Sequence, residues 1–485
     1  MCYYFAMSER LFPRSAGILL PVSSLPSPYG IGSFGRAARK WIDFLKDAGQ
    51  SFWQVLPLGP ADKAGSPYSS PSAFVGNPLL IDLDTLREEG LLKPSEYKNI
   101  DWRSSAKRVD YITVTRNRED VLHKAFSRFK DFKTLDEFTE NNPWAKEFGL
   151  FMSDKTSRED VYYYVFVQYQ FKRQWQGLHD YALSKGVEII GDIPIYVSLD
   201  SADVRAYHGL FQLDKDRAPT EISGCPPDKF TAAGQIWNNP LYDWEAMKKT
   251  GYEWWIRRLK RSFELYDVLR IDHFRGLESY FAIPRGDKTS KNGRWRPGPG
   301  KHFIDAIKKA MPDRRIIAED LGYITKGVRE LVSYSGYPSM KVLQFAFDTR
   351  VKGKDYSPDT YNSNTIVYTG THDNDTLKGW AVTAPGASIE KAMNYLSLKR
   401  AGELPLAMIR LAMQCNSNLA IIPMQDWLEL GSSARMNTPS TVSKKNWSWR
   451  IEEGSLTDDL AEKIREITES SGRLSPSTPV RGLLK

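Results

Sequence analysis

The sequence predicts an α/β chain folded as a (β/α)8 barrel. Eight short apolar runs bounded by turn residues recur along it, helical apolar stripes fall between them, and carboxylates collect at the ends of the runs. Continuous Val/Ile/Leu runs suit the strands of a parallel sheet that is covered on both faces. In chain order the runs are AGILLPV from Ala16, SFWQVLPL from Ser51, VEIIGDIPIYV from Val187 and DVLRIDHF from Asp267. RIIAEDLG from Arg315, MKVLQFAF from Met340, TIVYTGTHD from Thr365 and NLAIIPMQD from Asn418 complete the set.

Between the runs the apolar period changes to that of a helix. FGRAARKWIDFLKDAG puts Phe34, Ala37, Ala38, Trp41, Phe44, Leu45 and Ala48 on one stripe. Phe166, Tyr169 and Trp175 form an aromatic stripe, and YEWWIRRLKRSFELY and ITKGVRELVSYSG are further helices; these stripes read as core faces. Two gaps exceed ordinary connections. Residues 83–160 predict a mainly helical insertion between the second and third strands, and residues 198–250 a loop-rich insertion after the third. Both belong to a single barrel over residues 8–485.

Composition narrows the function classes. Hydrophobic residues make up 41% and charged residues 26% of the 485, ordinary values for a globular protein. A surplus of 67 basic over 59 acidic residues, without a long basic block, speaks against nucleic acid. RGDKTSKNGRWRPGPGK, from Arg285, mixes its charges with Gly and Pro and reads as an exposed loop. Cys2, Cys225 and Cys415 suggest neither a disulfide framework nor a C-x-x-C metal site, which fits a reducing compartment. The start MCYYFAMSERLFPR is not a secretory signal, and Met7 is an alternative start. No apolar run is long enough to span a membrane. The expected location is the cytoplasm, or a plastid stroma.

In a (β/α)8 barrel the chemistry sits at the carboxyl ends of the strands. Those ends carry Asp192, then Arg270, Asp272 and His273, then Glu319 and Asp320, then His372 and Asp373, and last Asp426. A buried carboxylate costs several kcal/mol unless paired. Any one of these acids could serve only to orient a loop, but a ring of them at one barrel mouth points to function. Paired carboxylates suit glycosidic-bond chemistry, in which one attacks the anomeric carbon while a protonated partner donates to the leaving oxygen. The six histidines form no H-x-x-x-H or H-E-x-x-H pattern, so no metal is expected. Tyr68, Trp237 and Tyr242 lie in apparent loops, where rings can stack on sugars. GIGSFG, from Gly30, matches a dinucleotide fingerprint. It follows its strand too late and lacks the acid about 20 residues on, so it reads as a glycine-rich turn capping a helix.

The chain resembles the 4-α-glucanotransferases, also called amylomaltases or disproportionating enzymes, of glycoside hydrolase family 77. The motifs SPYSSPSAFVGNPLLIDL, GDIPIYV, PPDKFTAAGQIWNNPLY, RIDHFRG, IIAEDLG, MKVLQFAF, THDNDT and ARMNTP carry the resemblance, in family order over nearly the whole chain. It implies Asp272 as nucleophile, Glu319 as general acid/base and Asp373 as the carboxylate that stabilises the transition state. It also implies Arg270, His372 and Asp192 around the glucose at the cleaved bond. Tyr68 and the loop with Asp228, Gln235 and Trp237 would shape the glucan and acceptor path, and His273 and Asn437 complete the substrate-binding set. No cofactor is implied, nor a separate C-terminal β-domain. The expected substrates are maltooligosaccharides and starch- or glycogen-type chains, with neither membrane nor nucleic-acid partners.

The chain departs from the family at several places. Members usually have Gly at Asn238, Trp at Arg205, Trp at Phe281, Gly at Ser440 and Gly at Lys445. None is a catalytic position; the changes bear on loop shape and subsite preference. Arg270 beside Asp272 should lower the pKa of the nucleophile, while Glu319 should be raised toward about 6–7. A retaining double displacement puts the two carboxyls about 5–5.5 Å apart. The rival readings are a retaining α-glucan hydrolase and a glucan-binding protein that has lost activity.

Overall fold

All eight apolar runs enter one closed barrel of parallel strands. In the computed structural model, residues 12–153, 157–228, 231–351 and 356–474 are described. Cys2, Met7, Lys229 and Phe230 lie outside the described residues. The strands are β1 (Ser15–Leu19), β2 (Phe52–Gln54), β3 (Glu188–Ile193), β4 (Glu221–Cys225), β5 (Gln235–Pro240) and β6 (Val268–Ile271). They continue with β7 (Ser279–Pro284), β8 (Arg294–Pro297), β9 (Arg315–Ala318), β10 (Ser339–Val342), β11 (Thr365–Tyr368) and β12 (Leu419–Pro423). The barrel closes in the order β1, β2, β3, β6, β9, β10, β11, β12 and back to β1. No strand follows β12 among the described residues.

The strands are shorter than the apolar runs. MKVLQFAF leaves the ladder at Val342 and turns into a helix at Leu343–Phe347, and NLAIIPMQD becomes a helix at Met424–Trp427. Their later apolar residues are still buried, packing over the barrel end instead of pairing in it. The helix Arg36–Asp47 buries Ala38, Trp41, Ile42, Phe44 and Leu45, as its stripe predicts. GIGSFG is the turn into that helix, and Gly35 lies so close to Asp82 that a Cβ would strike its carboxylate.

Residues 83–160 carry helices at Leu83–Glu88, Tyr111–Arg128, Phe132–Asn141 and Pro143–Met152, and the next helix begins at Arg158. A second sheet lies outside the barrel, antiparallel and four-stranded, in the order β5, β4, β7, β8. The segment read as an exposed loop from Arg285 supplies its edge strand β8. Pairing of Trp295 with Phe281 gives that strand a register that its Gly- and Pro-rich flanks conceal. Tyr242, read as a loop ring, is a core residue 1% exposed, and its hydroxyl donates to the carbonyl of Ile195.

Opposite the carboxyl ends, Arg473 closes the floor of the barrel. Fully buried, it donates to the carbonyls of Ser15, Met413, Cys415, Ser417 and Asn418. Arg14 also donates to the carbonyls of Met413, Cys415 and Ser417, and Ser15 N to that of Asn418. Arg473→Leu thus removes charge-assisted bonds without leaving most of the acceptors bare, and is expected to lower stability by about 2–3 kcal/mol. Urea denaturation measures this; an unchanged midpoint would mean that the carbonyls find other donors.

Candidate active site

Strand register brings the charged groups together. Asp192 on β3 lies across from Arg270 on β6, and Ile271 pairs with Ala318 on β9. The next residues, Asp272 and Glu319, therefore emerge side by side at the carboxyl ends of neighbouring strands. The Arg270 guanidinium nitrogen Nη1 donates to both oxygens of Asp192 at 2.7 Å and lies 2.9 Å from Asp272 Oδ1. Tyr68 donates its hydroxyl to Asp192 Oδ2 at 2.6 Å.

Glu319 is fixed by backbone amides. Leu321 N donates to Oε1 at 2.9 Å, and His273 N to Oε2 at 2.7 Å. The residue after Asp272 thus holds the carboxyl of Glu319, and it does so from a left-handed backbone with φ 49°. Such a conformation is strained for a side chain of this size and is retained where the surroundings enforce it.

Asp373, in the loop after β11, accepts from Asn437 Nδ2 at 2.6 Å and lies 3.5 Å from His372 Nε2. Arg435 donates to its carbonyl and to that of Asn437. His372 stacks on Tyr68 with centroids 5.3 Å apart, and Trp447 leans on both rings. Across the cleft, the Trp237 ring meets His273 edge to face at 4.8 Å, and Trp237 Nε1 donates to Gln235 Oε1. Asp228 forms a turn with Thr231, whose amide donates to its carboxylate.

The loop bearing Tyr68 is pinned from below. Gln168 exchanges two hydrogen bonds with the backbone of Gly76, Asp203 accepts from Ala73 N, and Arg261 donates to the carbonyl of Phe74. Trp447 is clamped by the helical insertion. Val109 N bonds to the Ser448 carbonyl, Arg450 N to that of Lys107, and the Tyr111 hydroxyl to that of Trp447. Trp447 also has a left-handed backbone, φ 61°. Sequence reasoning missed Trp447, Tyr196 beside Trp237, and Arg435. The NW dipeptide next to Lys445 hinted at the first, and the motifs GDIPIYV and ARMNTP contain Tyr196 and Arg435 without assigning either a role.

Burial dominates the electrostatics. The Asp272 side chain keeps 28% of its surface accessible, yet the cleft walls displace most surrounding water. Its pKa is pushed up to about 8 by this desolvation; Arg270 pulls downward, and the charges of Asp192, Glu319 and Asp373 push it up again. This corrects the expectation of a lowered value: the cost of burying the charge outweighs the pull of Arg270, which also serves Asp192. Glu319 is raised as expected, by burial first, against the pull of Arg270 and of its two amide donors. Burial holds both histidines neutral, His273 at about 3 and His372 below its ordinary value.

Two strand-end acids have other duties. Asp320 accepts from Met340 N, and Asp426 accepts from Leu377 N and the Thr369 hydroxyl. Both fasten loops, and both are raised by burial, to about 7 and about 6. Among the described residues, no cluster of three or more His, Cys, Asp or Glu could hold a metal ion. No helix among them is long and apolar enough to cross a membrane.

Asn238 and Ser440, two of the departures from glycine, both have left-handed backbones, at φ 61° and 62°. Asn tolerates this conformation better than Ser. Ser440→Gly is expected to stabilise the protein by about 0.5–1 kcal/mol, after the larger chain entropy of glycine is offset; a lower denaturation midpoint would contradict the strain. Asp192→Asn removes an anion that raises the pKa of Asp272 and Glu319 and releases Arg270 toward Asp272. The alkaline limb of kcat/KM, where the last shared proton leaves, is therefore expected to move to lower pH; a limb that stays or moves up would overturn this coupling.

The geometry agrees with comparisons to known proteins. The family profile described as 4-alpha-glucanotransferase, glycoside hydrolase family 77, matches residues 20–158 and 153–457. A 4-alpha-glucanotransferase of Clostridium butyricum is 42% identical, over 93% of this chain and 99% of its own. The chloroplastic/amyloplastic 4-alpha-glucanotransferase of Solanum tuberosum is 41% identical, over 95% of this chain and 87% of its own. An amylomaltase from Streptococcus agalactiae, solved in complex with acarbose, superposes with a TM-score of 0.91 at 36% identity, covering 95% of this chain and 99% of that one. The chain belongs to glycoside hydrolase family 77, the 4-alpha-glucanotransferases.

Proposed function

We propose that the protein moves α-1,4-glucan segments between maltooligosaccharides, or starch- or glycogen-type chains, by a retaining double displacement. The observation that carries this reading is the pairing of Asp272 and Glu319 at the ends of neighbouring strands, close enough for each charge to act on the other. Asp272 attacks the anomeric carbon as Glu319 protonates the departing oxygen, leaving a covalent glycosyl-enzyme. Glu319 then takes the proton from the 4-hydroxyl of an incoming glucan, which attacks and frees Asp272.

Asp373, oriented by Asn437 and His372, faces the positive charge that develops on the sugar. Tyr68, His372 and Trp447 form an aromatic wall for the donor sugar. Trp237 and Gln235 line the acceptor side. Family membership favours transfer over net hydrolysis, which uses the same carboxyls. The proposed setting is the cytosol or a plastid stroma.

Incubation with maltotriose alone is the direct test. Glucose together with a ladder of longer maltooligosaccharides is expected; glucose and maltose without the ladder would sink the transferase reading. Asp272→Asn should lower transfer by more than about 10³-fold while the protein still binds glucan. Trp237→Ala should shift product from transfer toward hydrolysis, and an unchanged ratio would remove Trp237 from the acceptor side.

A further inference from the structure

We propose that Trp295 and Tyr323 form a stacking platform for the α-glucan chain, beyond the sugars at the cleaved bond. This rests on the glucan-transfer reading above and adds to it a site for long chains. The two side chains are 36% and 66% exposed, unusual for large rings on a protein surface. Their planes are nearly parallel, 18° apart, with centroids separated by 6.2 Å.

The platform is built from below. On β8 the side chains alternate, and Arg294 and Arg296 both pair with Glu221, at 3.0 and 2.5 Å. Trp295 turns to the other face, where it packs against Phe281 of β7. The buried Arg275 guanidinium lies 3.6 Å from the centroid of the Trp295 ring and donates to the Tyr323 carbonyl at 2.8 Å and to Ser279 Oγ at 2.9 Å. One buried cation thus orders two exposed rings.

Continuity with the catalytic cleft identifies the occupant. Arg275 is in the turn that begins just after Asp272, and Tyr323 is in the loop that begins with Glu319. Trp295, on the edge strand β8, is tied to both of these loops through Arg275. An α-glucan presents apolar C–H faces along its length, the surface that parallel aromatic rings hold in water.

The test compares maltotriose with long-chain amylose as substrate for the wild type, Trp295→Ala, Tyr323→Ala and Trp295→Phe. The expected result is a fall of about three- to tenfold in the ratio of kcat/KM for amylose to that for maltotriose in the alanine variants. The fall should lie mainly in KM, with partial recovery in Trp295→Phe. Tyr323→Ala removes an exposed side chain and guards against misfolding as the explanation. An unchanged ratio overturns the proposal, as does an equal loss of kcat on both substrates, which would make the pair a brace for the catalytic loops. Native electrophoresis through amylose-containing gels, in the Asp272→Asn background, separates this site from the parent reading. Loss of retardation on adding Trp295→Ala supports the platform even if the wild type fails to disproportionate maltotriose, and undiminished retardation counts against it.

Discussion

The buried guanidinium of Arg270 is the interaction on which the site depends. It touches Asp192 and Asp272 and also feels Glu319. One cation cannot neutralise three carboxylates in a medium that solvates charge poorly, so the cluster retains a proton over a range where free carboxylates have none. Retaining chemistry needs that state: two neighbouring carboxyls sharing one proton. In the proposed cycle, positive charge developing at the anomeric carbon favours the ionised form of Asp272, the proposed nucleophile, and so leaves the proton on Glu319.

The same contact ties the aromatic wall to the charge cluster. Tyr68 bonds to Asp192, stacks on His372 and meets Trp447, so three distant loops share one position. Two of the residues that complete the arrangement, His273 and Trp447, have backbones that bulky side chains avoid. The helical insertion explains how Trp447 stays there, since residues 107–111 bond to both sides of it. The insertion is therefore part of the active-site wall, although its own sequence carries none of the proposed chemistry.

The barrel strands were legible because burial on both faces demands continuous apolar runs, and each run yielded a strand. The second sheet was hidden. β8 reads RWRP, with polar neighbours and a proline, and its partners are set by register with β7, which no local pattern announces. The acids were legible as a group and ambiguous one by one. Glu319 and Asp320 are adjacent, yet one faces Asp272 and the other holds the amide of Met340. The direction of the Asp272 shift was misread for a related reason: the sequence shows Arg270 two residues from Asp272, but not Asp192 one strand away. Tyr242 was misjudged, and Trp447 missed, because loop position alone does not decide whether a ring is core or wall.

What distinguishes transfer from hydrolysis is the treatment of water, since the carboxyls serve both. Water at roughly 55 M competes with an acceptor at millimolar concentration, a handicap of about 6 kcal/mol. Acceptor contacts and water exclusion must together overcome it. In the proposed cycle Trp237 would serve both tasks: it meets His273, the residue between Asp272 and the 3-10 turn that follows, edge to face. Desolvation holds His273 neutral, and the Trp237 ring shields it on the cleft side. Trp237 thus closes the side of the cleft next to Asp272, and an acceptor sugar seated there would displace the water that remains, so the group proposed to favour the acceptor lies beside the group that must be kept from water.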